Sequence, residues 1–477
     1  MPGMDLSRFS ALELAALVRA REVTAREVTE HALAAAERLG PAVGAFTCLA
    51  PERALREARV LDDRIRSGQP LPPLVGVPCP IKDLNPVAGL PFEAGSAVLR
   101  GNVAETDDAI VAWLRDAGTV MLGKTNTPEF GLPCYTEPDG YPPARTPWDP
   151  TRSAGGSSGG AAAAVAAGIV PIAHGSDGGG SIRIPASACG LVGLKASRGR
   201  ISSGPLREPG PGLATDGVLS RTVRDTAAVL DALAGARSGD TYYAPPPADT
   251  FLAACDKHPQ NLGVGLLTRP VIAADAPVHH ACIEAANSVA ALLAAQGHRV
   301  DDAPVPFSAD RWNAFQALWA VGALSIPVPE ESEARLRPLT AWLRRQGRSF
   351  SGLDHALAWA AVQRLTRDVA EAWDEFDVIV TPTLAQPPAH IGELRDDEDP
   401  AGDFAAQTRF TPWTSVYNLS GRPAISLPLH TAEIAQRRLP IGVMLGGRFG
   451  TEGMLLALGA ALEEQVGGFD VAPALAG

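Results

Sequence analysis

Two glycine-rich segments of this chain present serines, and a lysine stands upstream of both. The first segment is Gly155-Gly156-Ser157-Ser158-Gly159-Gly160 and the second is Asp177-Gly178-Gly179-Gly180-Ser181-Ile182-Arg183. The lysine is Lys82, within Gly76-Val77-Pro78-Cys79-Pro80-Ile81-Lys82-Asp83. Glycine lets the backbone turn sharply and approach a ligand closely. A hydroxyl in such a loop can stand bare among backbone N–H groups, as a nucleophile beside an oxyanion hole must. Serine is a weak nucleophile and needs a base. Lysine can serve once neutral, and burial lowers its pKa from about 10.4. Lys82 follows the apolar Val75, Val77 and Ile81, which suits a desolvated amine. The competing reading pairs Lys82 with the adjacent Asp83 as an ordinary structural ion pair. The chemistry this set points to is hydrolysis with a serine nucleophile.

Two other motifs overlap these residues or flank them. Gly118-Thr119-Val120-Met121-Leu122-Gly123-Lys124-Thr125 fits the phosphate-loop pattern G-x-x-x-x-G-K-[ST]. Its context argues against that role. The residues between the glycines read as a strand, and Asn126-Thr127-Pro128 makes a turn where a helix is needed. Both Ser157 and Ser158 sit in a G-x-S-x-G nucleophile elbow. A Ser-His-Asp hydrolase is therefore an alternative, with His355 or His390 as its histidine, although neither lies in a motif.

Alternating helices and strands must position these side chains. Ser10-x-x-Glu13 and Thr24-x-x-Glu27 are capping boxes that open helices, the second predicted to end at Gly40-Pro41. Pro51 to Gly68 reads as a third helix, so residues 1–70 are expected as a helical arm. Leu74 to Ile81 is predicted as buried extended chain leading to Lys82. A helix follows Thr106-Asp107 and stops at Gly118, and Thr119 to Leu122 is a short strand. Ala161 to Gly168 is an alanine-rich helix whose N-terminal dipole points at Ser157 and Ser158. Val170 to Ala173 is predicted as a strand and Thr222 to Ala234 as a helix. Residues 235–375 read as mostly helical, with one strand at Gly263–Leu267. Asp377–Val380, Ala424–Leu429 and Ile441–Leu445 read as core strands, and Asp396-Asp397-Glu398-Asp399 as an exposed loop. The alternation predicts an α/β fold with a sheet buried on both faces.

Composition narrows the function classes. The 477 residues are 46% hydrophobic, ample for a large core. A net charge of −12 without a basic run sets nucleic-acid binding aside. The six cysteines are scattered, with no C-x-x-C and no histidine at ligand spacing, so no metal site is expected. Reduced thiols in a cytoplasmic protein are the expectation. The N-terminus has no apolar signal core. Ala161 to Ala173, the longest small or apolar run, is too short to span a bilayer and contains Pro171, so no membrane association is expected.

Taken together, the motifs resemble the amidase signature family, amide hydrolases built on a serine, a second serine after a cis peptide, and a lysine. The resemblance covers essentially the whole length. It is densest from Val75 to Ser202, including Gly123-Lys124-Thr125-Asn126-Thr127-Pro128-Glu129-Phe130-Gly131 and Cys189-Gly190-Leu191-Val192-Gly193-Leu194-Lys195, and returns at Val380–Thr383 and Asn418–Ala424. It implies one large domain over residues 1–477, with a central mixed β-sheet flanked by helices. Residues 75–230 would carry catalysis, and 235–375 would be the variable part.

By the same resemblance Ser181 is the acylated nucleophile, Ser157 the bridging serine after a cis Gly156–Ser157 bond, and Lys82 the base. Backbone N–H groups of Gly178, Gly179, Gly180 and Ser181 would form the oxyanion hole. Ser158 would be a supporting donor, and Asp177 and Arg183 would brace the loop. Leu132, Cys134 and Tyr135 follow a motif that borders the pocket, and Trp319 and Trp413 are further candidates to line it; loop or core packing is the competing reading for each. Gly178 stands where many relatives carry a larger apolar residue, Ser176 where threonine is common and Ala196 where proline is common. No cofactor or metal is implied. The expected substrate is a small-molecule amide, apolar or aromatic, with aryl carbamates and esters open to the same serine chemistry. A monomer or homodimer is expected. The alternative within the family is the amidase subunit of a tRNA-dependent amidotransferase, against which the acidic charge and the divergent Tyr135–Arg145 loop speak.

Overall fold

Two sheets organise the chain in a computed structural model that describes residues 5–207, 210–470 and 472. A small sheet holds β1 (Phe46–Leu49), β2 (Ile81–Lys82) and β3 (Gly123–Thr125) in the order β1-β3-β2. The large one holds β4 (Ile172–Asp177), β5 (Val192–Lys195), β6 (Thr215–Ser220), β7 (Gly263–Leu266), β8 (Arg299–Asp302), β9 (Val378–Pro382), β10 (Ala424–Ile434) and β11 (Arg437–Gly447). Its order is β4-β6-β5-β10-β11-β9-β7-β8. The sheet is mixed: β7 runs parallel to β8 and β9, and the other pairs are antiparallel. Helices pack on it through one main apolar core and a second, aromatic-rich one. This is the large single α/β domain that the motifs imply.

Both N-terminal capping boxes form, around Ser10–Glu13 and Thr24–Glu27. The second helix nevertheless runs past Gly40-Pro41 to Val43. Pro41 lies in the last turn, so the bond it cannot donate and the clash of its ring disturb only the helix end. The stop is Gly44, at φ +59, where an added Cβ would meet the Pro143 carbonyl oxygen at 2.3 Å. Residues 1–70 are not helical throughout, because β1 lies among them. Their helices do not project as an arm either; Leu14, Val18, Val28 and Leu33 are buried in the main core.

Several strands are displaced from their predicted positions. Residues 73–76 turn, Pro78 makes a single parallel bridge with Val120, and the continuous strand falls at Gly123–Thr125, just beyond the predicted Thr119–Leu122. β4 starts and ends later than expected and takes in His174, Ser176 and Asp177. Hydrophobicity alone cannot place such a strand, since its polar residues are buried by partners distant in sequence. The Gly159–Ala166 helix is buried from Gly159 to Val165. A Cβ at Gly160 would stand 2.4 Å from the Asn126 backbone nitrogen, so small residues there are a packing requirement. Asp396 to Asp399 are exposed, and Asp397 pairs with Arg337 at 2.7 Å and Arg395 at 2.5 Å. Among the described residues no helix is long and apolar enough to cross a membrane.

Candidate active site

Lys82 is wholly buried on β2 and forms no ion pair among the described residues. Its Nζ lies 2.8 Å from Ser157 Oγ, 2.9 Å from Ser158 Oγ and 3.1 Å from Ser176 Oγ, and donates to the Ser176 carbonyl at 3.3 Å. The adjacent Asp83 faces away and takes Lys124 Nζ at 2.5 Å, so the Lys82–Asp83 pairing does not form. Burial pushes the Lys82 amine down to about 7. The carboxylates of Asp177 and Asp216 oppose that shift, and the Arg207 guanidinium adds to it.

Both serine loops start from the same corner. Ser157 and Ser158 precede the Gly159–Ala166 helix, and the Gly156–Ser157 peptide is cis. Ser181 follows β4, just before the Arg183–Cys189 helix. The Ser158 N–H donates to the Ser181 carbonyl at 3.2 Å, which ties the two loops together.

Asp177 is the organising group of the second loop. It accepts from the N–H of Gly180 at 2.8 Å and of Ile182 at 3.2 Å. It also receives Arg183 Nε and Nη2, both at 2.9 Å, and Asn418 Nδ2 at 2.9 Å. Burial disfavours the Asp177 carboxylate, yet Arg183 and Asn418 hold it well below the usual carboxylate range. Thr414 Oγ1 donates to the Gly179 carbonyl at 2.7 Å, so the loop is also gripped from the Thr414–Ser420 helix.

The loop geometry corrects one expectation. The Gly180 N–H is committed to Asp177 and does not belong to an oxyanion hole. Gly179 and Ser181, by contrast, line a cavity.

That cavity is narrow, and only with its mouth and the open solvent there does it reach about 460 Å³. Trp312, Phe315, Trp319 and Phe404 wall it. Trp312 stacks on Phe315 at 5.0 Å between ring centroids, and Phe315 on Trp319 at 5.2 Å. No charged residue lines it among the described residues. Leu132 and Cys134 border it as expected, and so does Trp319. A Cβ on Gly178 would stand 3.4 Å from the Trp319 ring, so a larger residue there would press on that wall.

Other predicted site residues lie elsewhere. Tyr135 does not line the cavity; it is buried behind it, with its hydroxyl donating to Asp403 at 2.6 Å. Trp413 is core, with Nε1 donating to the Arg269 carbonyl at 2.9 Å. Neither His355 nor His390 lines the cavity, which leaves the Ser-His-Asp alternative without a base. Among the described residues no cluster of potential metal ligands occurs.

The sequence reading missed part of the site. Trp312, Phe315 and Phe404 were not singled out, although Trp312, Phe315 and Trp319 fall at helical spacing on one face. Gln407 was also missed. It lines the cavity while accepting from the Cys134 N–H at 2.7 Å and donating to Asp403 at 2.5 Å. Only tertiary contacts define that role.

Comparison with known proteins adds to this geometry. The family model described as Amidase matches residues 27–456. The chain is 37% identical to the 6-aminohexanoate-cyclic-dimer hydrolase of Paenarthrobacter ureafaciens, over 94% of this chain and 93% of that one. A solved structure of a 6-aminohexanoate cyclic dimer hydrolase superposes with a TM-score of 0.88 at 33% identity, covering 97% of each chain. A bacterial aryl acylamidase superposes with a TM-score of 0.84 at 27% identity, covering 96% of each.

Proposed function

The chain belongs to the amidase signature family of amide hydrolases, and on that premise we propose that it cleaves uncharged amides with an apolar or aromatic acyl or amine part, using Ser181 as nucleophile. One observation carries this reading: a buried, ion-pair-free lysine contacts Ser157 at 2.8 Å behind a charge-free aromatic cavity that opens onto Ser181.

In the proposed mechanism neutral Lys82 takes the Ser157 proton while Ser157 takes that of Ser181. Ser181 Oγ attacks the substrate carbonyl. The N–H groups of Gly178, Gly179 and Ser181 face the developing oxyanion, and each such donor is worth about 2.7–4 kcal/mol in the transition state. The proton returns through Ser157 to the leaving amine, and the C–N bond breaks. Water then attacks the acyl-serine by the same relay in reverse. Ser158 and Ser176 hold the lysine amine on the Ser157 hydroxyl.

The cavity wall sets the substrate class. A carboxylate or ammonium placed among Trp312, Phe315, Trp319 and Phe404 would lose its hydration without gaining a partner. Similarity to an aryl acylamidase and to a 6-aminohexanoate cyclic dimer hydrolase supports the same class. Aryl carbamates and esters offer the same carbonyl to the same serine. The test compares a chromogenic anilide bearing an apolar acyl group with its analogue carrying a terminal carboxylate, using the purified chain alone. The apolar anilide is expected to win by about 100-fold in kcat/KM, with Ser181→Ala inert. Equal turnover of both would overturn the substrate reading. Activity confined to mixtures with partner subunits would replace it with the amidotransferase one.

A further inference from the structure

Behind Lys82 lies a set of polar residues that the proposed mechanism leaves unused. The Lys82 N–H donates to His174 Nδ1 at 3.3 Å, and His174 Nε2 stands 3.2 Å from Asp216 Oδ1. An accepting Nδ1 puts the imidazole proton on Nε2, directed at Asp216. Asp216 pairs on its other oxygen with Arg207 Nη2. Arg207 Nε lies 3.1 Å from Asp108 Oδ2, which also accepts from Asn85 Nδ2 at 3.0 Å. The Asn85 N–H then donates to the Lys82 carbonyl at 3.1 Å. The path closes on itself, having touched both the N–H and the C=O of the lysine.

We infer that Arg207 is a positioning residue for Lys82: it closes this ring of hydrogen bonds and ion pairs around the lysine backbone and balances the two carboxylates beside it. The inference rests on Lys82 being the base. Asn85 and His174 are fully buried, and Asp108 and Asp216 almost so. Arg207 is different. It comes from a surface loop whose neighbours Pro205 and Leu206 are exposed, and its side chain keeps 30% exposure. One guanidinium thus reaches inward from that loop and separates Asp108 from Asp216. Without it, the buried Asp108 and Asp216 carboxylates would lose the cation they share.

Other charges around Lys82 are already paired. Asp177 is held by Arg183, and Asp83 by Lys124. Asp216, which pulls the amine toward its charged form, is answered by Arg207. Removing Arg207 therefore favours the ammonium, and the relay starts only at higher pH.

A fluorophosphonate probe reports this without knowledge of the substrate, because it reads the Ser181 attack alone. Its labelling rate would be followed from pH 5.5 to 9.5 in wild type, Arg207→Gln, Arg207→Lys and Asp216→Asn, with thermal melting in parallel. Wild type is expected to gain rate through a midpoint near 7. Arg207→Gln should move that midpoint up by about one unit, making labelling roughly tenfold slower at pH 6. Arg207→Lys keeps the charge and should stay near wild type. Asp216→Asn removes a carboxylate and should move the midpoint down, so the inference does not depend on one variant folding. Unmoved midpoints, or a loss equal at every pH, would reduce the ring to structure and overturn the inference. Undiminished labelling in Lys82→Ala would remove the lysine base, and the inference with it.

Discussion

At the scale of single residues, the protonation state of one amine decides the chemistry. Lys82 can accept from Ser157 only when neutral, and burial pushes it down to about 7. With an apolar anilide, kcat/KM should rise between pH 6 and 8 and then level. Lys82→Ala should lower it at pH 8 by a factor on the order of 10³ and flatten the rise, as loss of a general base does. A rise with the same midpoint in that variant would assign it to another group. Lys195 is the one to suspect, being also buried and pushed down to about 7. The serine loops were legible because close backbone approach calls for glycine in runs. The choice between Ser157 and Asp83 as partner of Lys82 was not legible: Asp83 opens the turn after β2, and only its tertiary pairing with Lys124 takes it away from Lys82. Trp319 and Trp413 were not separable from sequence, since both are large apolar residues. Only the packing of their helices sends one to the cavity and the other to the core.

At the scale of elements, the Thr414–Ser420 helix holds the nucleophile loop from the far end of the sequence. Its residues supply the Thr414 hydroxyl to Gly179, the Thr414 carbonyl to Arg183 at 2.8 Å, and the Asn418 side chain to Asp177. Arg183 links these groups through a buried pair with Asp177. Arg183→Met would leave that carboxylate buried and unpaired, at a cost of about 3–5 kcal/mol. Urea unfolding is expected to show that loss, with slower fluorophosphonate labelling of Ser181. A change below about 1 kcal/mol would mean that water takes over the guanidinium's place. The Asn418–Ala424 motif was visible in the sequence, but its job of gripping a loop more than two hundred residues earlier was not. β5 and β6 escaped for a related reason. β5 is four residues long, both strands contain a glycine, and their pairing with β10 and β4 is non-local, so neither carries much local signal. Helices with capping boxes, by contrast, carry their start signals within four residues.

At the scale of the whole molecule, the buried ionisable groups set how stability depends on pH. Burial pushes Lys82 and Lys195 down to about 7, whereas the unfolded chain keeps those protons until about 10.5. Between these values the unfolded state binds more protons, so stability rises with pH. Buried thiols act in the opposite sense. Burial pushes Cys79, Cys189 and Cys282 up to about 12 and Cys255 up to about 11, against 9.0 for the unfolded chain. Above pH 9 the folded state therefore holds protons that the unfolded state gives up, and stability falls. The two trends cross, so the melting temperature should peak at roughly pH 8 to 9, each unbalanced proton contributing about 1.4 kcal/mol per pH unit. Among the described residues Lys195 makes one side-chain hydrogen bond, to the Ala196 carbonyl at 2.7 Å, so Lys195→Met isolates its share. That variant should gain stability at pH 7 relative to wild type and lose about half of the rise between pH 7 and 8.5. Melting curves that stay flat or fall over that interval in wild type would mean that both lysines remain charged in the folded protein. The core would then admit enough water to solvate them, and the neutral base on which the proposed relay depends would be lost.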